Sequence, residues 1–89
     1  MIAILEGKEI RTIEDFHKAI SDQLSFPDFY GKNLNALWDC ITGFIAIPAM
    51  VIWRDFKLSN LYLGDFAVMA KQIFEDAEKE IEGFKFECC

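Results

Sequence analysis

Apolar residues recur along this chain with two different spacings. "IAIL" (Ile2–Leu5) is a short apolar run ended by Glu6–Gly7. It is too short for a helix and reads as a buried strand. Beyond it, Ile13, Phe16, Ile20 and Leu24 return on one helical face. Thr12 with Asp15 three residues on resembles a capping box at the start of that helix, with Asp in place of the usual Glu, and Pro27 bars its continuation. A second helix follows, with Asn33 a good N-cap and Gly43 a good C′ residue. Leu34, Leu37, Ile41 and Phe44 share one stripe of it, which should face the core. Asn35, Asp39 and Thr42 lie within about 60° of one another on the other side, with Trp38 at the seam.

After Pro48, "AMVIW" (Ala49–Trp53) is a continuous apolar run, as a central parallel strand requires. Arg54 to Leu63 reads as a short, less regular helix. Gly64–Asp65 then opens a fourth helix, in which Phe66, Met69, Ile73, Ala77 and Ile81 repeat at helical spacing and which Gly83 ends. "FKFECC" alternates, with Phe84, Phe86 and Cys88 on one side and Lys85, Glu87 and Cys89 on the other. Strands separated by helical segments predict an α/β fold with a small parallel sheet and right-handed crossovers. The 89 residues form a single domain, 1–89, able to bury roughly 60–65% of its unfolded surface.

Composition narrows the function. Apolar residues make up 53% of the chain and nine are Phe, too hydrophobic for a disordered segment. The net charge is −6, which disfavours direct contact with nucleic acid or an anionic membrane and favours a basic partner. No apolar run reaches membrane-spanning length. The start, "MIAILEG", has no cationic region and does not read as a signal peptide. Three cysteines in no zinc-binding pattern suggest a reduced, cytoplasmic protein.

Catalytic, cofactor-binding and metal-ligating sets are not found in the sequence. Gly31 and Gly43 flank a helix instead of opening a phosphate-binding turn. His17, the sole histidine, lies at the edge of the first helix's apolar face and suits a structural role. Cys40 suits a small core position. Glu75, Asp76, Glu78, Glu80 and Glu82 crowd the end of the fourth helix, against the helix dipole. They form either a solvated face or a surface whose charge is used on a partner. Trp38 next to Asp39, after the aromatic loop Phe29–Tyr30, is either core packing or the centre of a hot spot for a basic partner.

"IRTIEDFHKAI" (Ile10–Ile20), "FPDFYGKNLNALWDCITG" (Phe26–Gly43) and "IPAMVIWRDF" (Ile47–Phe56) resemble the barstar family of intracellular inhibitors of the secreted ribonuclease barnase. The likeness runs without a gap over the first 56 residues and more loosely to the end. It implies a barstar-like α/β fold, a three-stranded parallel sheet packed against about four helices. It also implies that the second helix and the loop before it plug the active site of a basic, barnase-like, guanyl-specific ribonuclease. On that likeness Asp39 sits where an RNA phosphate would bind, and Phe29 covers the catalytic region. Tyr30 and Gly31 complete the loop, Asn33 and Leu34 line the contact, and Trp38 packs on its rim. Thr42 and Gly43 reach the guanine-binding side, Phe44 extends the patch, and Asp76 and Glu80 reach basic groups from the fourth helix. Relative to the family, Phe29 lacks a phenolic hydroxyl, Asn35 replaces an aspartate, Phe44 replaces a tryptophan and Asp76 is one carbon shorter than a glutamate. The expected inhibitor is a monomer when free. Two other readings stay open: the same scaffold acting on a different basic toxin or nucleic-acid enzyme, and a small thiol enzyme using Cys88 or Cys89.

Overall fold

The computed structural model describes residues 1–89. In chain order the elements are β1 (Ile2–Glu6), α1 (Ile13–Gln23), α2 (Leu34–Gly43), β2 (Ala49–Arg54), α3 (Phe56–Leu63), α4 (Asp65–Glu80) and β3 (Phe84–Cys88). The three strands form one parallel sheet in the order β1-β2-β3. Val51 pairs with Ala3 on one side and Phe86 on the other. The α/β class, the central place of β2 and the four helices agree with the reading of the sequence.

Strand alternation builds the core. Ala3, Leu5, Ala49, Val51, Trp53, Phe84 and Phe86 are all buried on the sheet face that meets the helices. Phe16 of α1 packs on Trp53 with centroids 5.4 Å apart, and Phe74 of α4 stacks on Phe86 at 5.1 Å. Trp53 Nε1 donates to Ser59 Oγ at 2.9 Å, so the buried indole N–H has its partner inside the core. The opposite sheet face carries Ile2, Ile4, Met50, Ile52, Lys85 and Glu87, all half-buried or exposed. The apolar run of β2 is therefore fully buried on one face only, although it is the central strand.

The cap of α1 is as expected. Asp15 N–H donates to Thr12 Oγ1 at 3.0 Å, and Asp15 Oδ2 accepts from Thr12 N–H at 3.2 Å. Phe16, Ile20 and Leu24 are buried, but Ile13, in the first turn, is exposed.

Four features of these elements differ in detail from what the sequence pattern suggests. The buried face of α4 is Ala67, Ala70, Phe74 and Ala77, while Met69 is exposed. Small alanines let the helix approach closely, and weighting the large side chains rotated the expected face. Gly43 is the last residue of α2, not a residue beyond it; the helix closes through Phe44 N–H to Cys40 C=O at 3.0 Å. Phe44 leaves the core stripe and is 58% exposed. Cys88 shares a side with Phe84 and Phe86 but is exposed, because it lies at the strand's far end.

Gly83 ends the connection from α4 with φ +95°, and a side chain there would run into Ile47. Only glycine suits both conditions.

Candidate functional site

The loop between α1 and α2 sorts its aromatics by alternate anchoring. Tyr30 N–H donates to Pro27 C=O at 3.0 Å, closing a turn. The Tyr30 ring then packs edge-on against Phe26 at 4.8 Å and His17 at 5.5 Å. Its hydroxyl pairs with His17 Nδ1 at 2.6 Å, inside the core. Tyr30 is only 8% exposed, whereas its neighbour Phe29 is 72% exposed. The anchor drawn inward by Tyr30 holds Phe29 outward. As a partner contact, Tyr30 offers little surface; its role is to position the loop. Lys32 follows in the left-handed region, at φ +54°, and turns the chain into α2.

Asn33 caps α2 by accepting from Ala36 N–H at 2.8 Å through Oδ1, while Nδ2 donates to Gly31 C=O at 3.3 Å. Both ends of that amide are committed within the chain. Leu37, Cys40 and Ile41 fix the helix on the core, with Leu34 and Trp38 half-buried beside them. The outward face holds Asn35 and Asp39, both exposed. Thr42 is half-buried, and its hydroxyl donates to Trp38 C=O at 2.7 Å. Gly43 is exposed and a side chain there would meet open space.

Phe29 and Phe44 meet edge to face, centroids 5.4 Å apart, from the two ends of this segment. The two exposed phenyl rings form a small contiguous apolar patch on the surface. Asp39 stands on the same segment. Neither ion pair in the chain, Lys18–Asp22 or Glu6–Arg54, involves it. Its carboxylate is available for an outside cation.

The acidic end of α4 divides. α4 packs against α2. Asp76 is half-buried and accepts from Gln72 Nε2 at 2.9 Å, and Glu80 is exposed. Glu78 turns back onto its own sheet, accepting from Phe86 N–H at 2.9 Å. One member of the expected acidic surface is thus structural.

Ionisation in the interior is quiet. Burial, helped by the nearby Lys32 charge, holds the His17 imidazole below its ordinary value. Burial, then the neighbouring Cys40, pushes the Tyr30 phenol far above its own. The His17–Tyr30 pair is therefore an uncharged hydrogen bond at neutral pH. Burial, with Asp39 adding to it, pushes the Cys40 thiol up, and at the strand end partial desolvation of the otherwise exposed Cys88, opposed by Lys71, raises that thiol too. All three cysteines are free thiols, and these two are not activated as nucleophiles. No group of three His, Cys, Asp or Glu side chains converges as metal ligands do. No helix is long and apolar enough to cross a membrane.

The contribution of His17 to this site was half legible. Its spacing marked it as structural, but nothing in the sequence connects it to Tyr30 across 13 residues and a proline-turned loop.

Residues 1–89 match the family described as Barstar (barnase inhibitor). The chain is also 38% identical over 79 residues to a protein of Bacillus subtilis (strain 168) that carries the provisional name ribonuclease inhibitor YrdF. That match covers 89% of this chain and 87% of the relative. With the parallel three-stranded sheet and the loop–helix surface already described, the chain belongs to the barstar family.

Proposed function

We propose that this chain inhibits a barnase-like, guanyl-specific ribonuclease by seating Asp39 in its active site, where an RNA phosphate would bind. The observation that carries the reading is the unpaired, exposed Asp39 carboxylate on a helix flanked at its two ends by the touching Phe29–Phe44 pair. A nuclease active site is cationic because it holds phosphate, and a desolvated carboxylate delivered by a rigid helix competes for the same groups. The exposed phenyl rings supply apolar area beside it and exclude water. Asn35, Thr42 and Gly43 fill the remaining outward positions of α2, and Trp38 packs on the rim. Asp76 and Glu80 add negative charge from α4. The inhibitor binds as a cytoplasmic monomer and performs no chemistry of its own. Family membership and the provisional name of the Bacillus relative support this reading.

The test is a titration of purified chain into barnase with a guanosine-containing RNA substrate. Stoichiometric inhibition is expected, and Asp39→Ala should lose at least ~2 kcal/mol of binding with folding intact, a hot-spot generalisation for which the barnase–barstar pair is itself a founding example. If the chain binds a basic toxin of another class through the same face and leaves ribonucleases active, the scaffold is kept and this target is wrong.

A further inference from the structure

An edge strand presents unpaired N–H and C=O groups on which another strand can add. Here β1 and β3 are the edges. Met50 N–H donates to Met1 C=O and Gly7 N–H donates to Arg54 C=O, so the odd residues of β1 turn toward β2. Ile2, Ile4 and Glu6 turn outward.

The central outward residue is occupied. Gln23, the last residue of α1, accepts from Ile4 N–H through Oε1 at 2.7 Å and receives nothing else there; its Nε2 donates to Ile4 C=O, also at 2.7 Å. A carboxamide placed this way copies the peptide group of a neighbouring strand. Glu6 C=O is also taken, by Glu9 N–H at 2.9 Å. The far edge has a similar device, for Glu78 holds the outward Phe86 N–H and Ile81 C=O holds that of Phe84.

We propose that Gln23 keeps the β1 edge closed, and that without it this edge pairs with the β1 edge of a second copy of the chain. Two observations favour a second copy as the occupant. In a two-fold antiparallel pair centred on Ile4, the two Ile4 residues exchange both N–H···O=C bonds, the same two groups that Gln23 now holds. The segment Ile2–Leu5 is apolar, uncharged and free of proline, which is the composition that adds strands readily. β3, by contrast, carries Lys85 and Glu87 along its length.

The test uses the full chain and two measurements. Sedimentation or light scattering over a concentration series should show wild type monomeric and Gln23→Ala self-associating at least about tenfold more tightly. Adding Ile4→Lys to Gln23→Ala should return it to monomer, because the two lysines would then lie opposite each other. Ile4 amide exchange should be faster in dilute Gln23→Ala than in wild type, and slow again as concentration rises. Should alanine unsettle the end of α1, Gln23→Met keeps the stem and removes both bonds, with the same expectation. A folded Gln23 variant as monomeric as wild type overturns the proposal. So does association that Ile4→Lys leaves unchanged, or a wild type that already pairs through β1. None of these outcomes depends on the inhibitor reading.

Discussion

Replacing Tyr30 by Phe removes one oxygen from the core and leaves the ring where it packs on Phe26 and His17. The hydroxyl pairs with His17 Nδ1 at 2.6 Å, and His17 Nε2 is buried without any partner. The variant therefore leaves both imidazole nitrogens unpaired in a residue only 2% exposed. An unpaired buried polar atom costs about 1–3 kcal/mol, and the void left by one oxygen adds little. For a chain of this size, each kcal/mol lowers the midpoint of thermal unfolding by roughly 4–8 °C. Urea and thermal unfolding of Tyr30→Phe should both report this loss. Tyr62→Phe is the control: that ring is exposed, lies under Arg11 and should change stability by less than about 0.5 kcal/mol. The loss should reach binding as well, since the same bond holds Phe29 outward. Dissociation from the nuclease should quicken although Tyr30 itself is buried. If Tyr30→Phe is as stable as Tyr62→Phe, the hydrogen bond is not what anchors the loop. If it is destabilised but dissociates at the wild-type rate, the anchor does not position Phe29.

Stability should fall with acid through His17, whose folded value lies below the ordinary one of about 6.5. Between those two values the unfolded chain binds more protons, so this contribution is complete above about pH 6.5 and is lost as pH falls toward the folded value. Urea unfolding across that range should lose the slope in His17→Gln, and a slope unchanged by the substitution would refute the assignment. Phe29→Ala and Phe44→Ala should each weaken binding and should couple by about 0.5–1.5 kcal/mol in a double-mutant cycle, because the rings touch; additive losses would mean that the pair separates in the complex. Association with the nuclease should slow as salt rises, and more steeply for Asn35→Asp, which restores a charge on α2, than for wild type. The barnase–barstar pair is itself a founding example of such steering, so the direction is carried over from the family. Equal slopes in stopped-flow mixing would place Asn35 outside the contact field.

The elements were legible where one local rule decided them. Thr12, Asp15 and Asn33 cap their helices through bonds between residues three apart, and such spacing is visible in a sequence. The central place of β2 was legible in its continuous apolar run. The failures share a different cause. Helical period points Met69 and Phe44 inward, yet alanines form the close face of α4 and Phe44 lies where α2 has already ended. Glu78 looked like one more surface charge, because nothing local shows that β3 needs an acceptor eight residues away. Tyr30 and Phe29 are adjacent and alike in composition. The Pro27 turn, the Phe26 ring and His17 together receive Tyr30, and none of these contacts is visible from the adjacent pair itself.

That last distinction bears on how the surface works. Each outward candidate sits beside an inward anchor: Phe29 beside Tyr30, Asp39 beside Cys40, Phe44 beside the half-buried Ile45. The anchors contribute core packing, while the outward residues contribute little to it. At the contact proposed above, backbone freedom is therefore lost on folding, before any partner arrives, and binding has less ordering left to oppose it. The two classes of substitution should then separate in one data set. Changes at Phe29, Asp39 or Phe44 should alter dissociation and leave unfolding close to wild type. Changes at Tyr30 or Cys40 should alter unfolding first and dissociation in proportion. An outward residue whose removal destabilises the free chain by ~2 kcal/mol or more would belong to the core after all, and the division of labour along this segment would have to be redrawn.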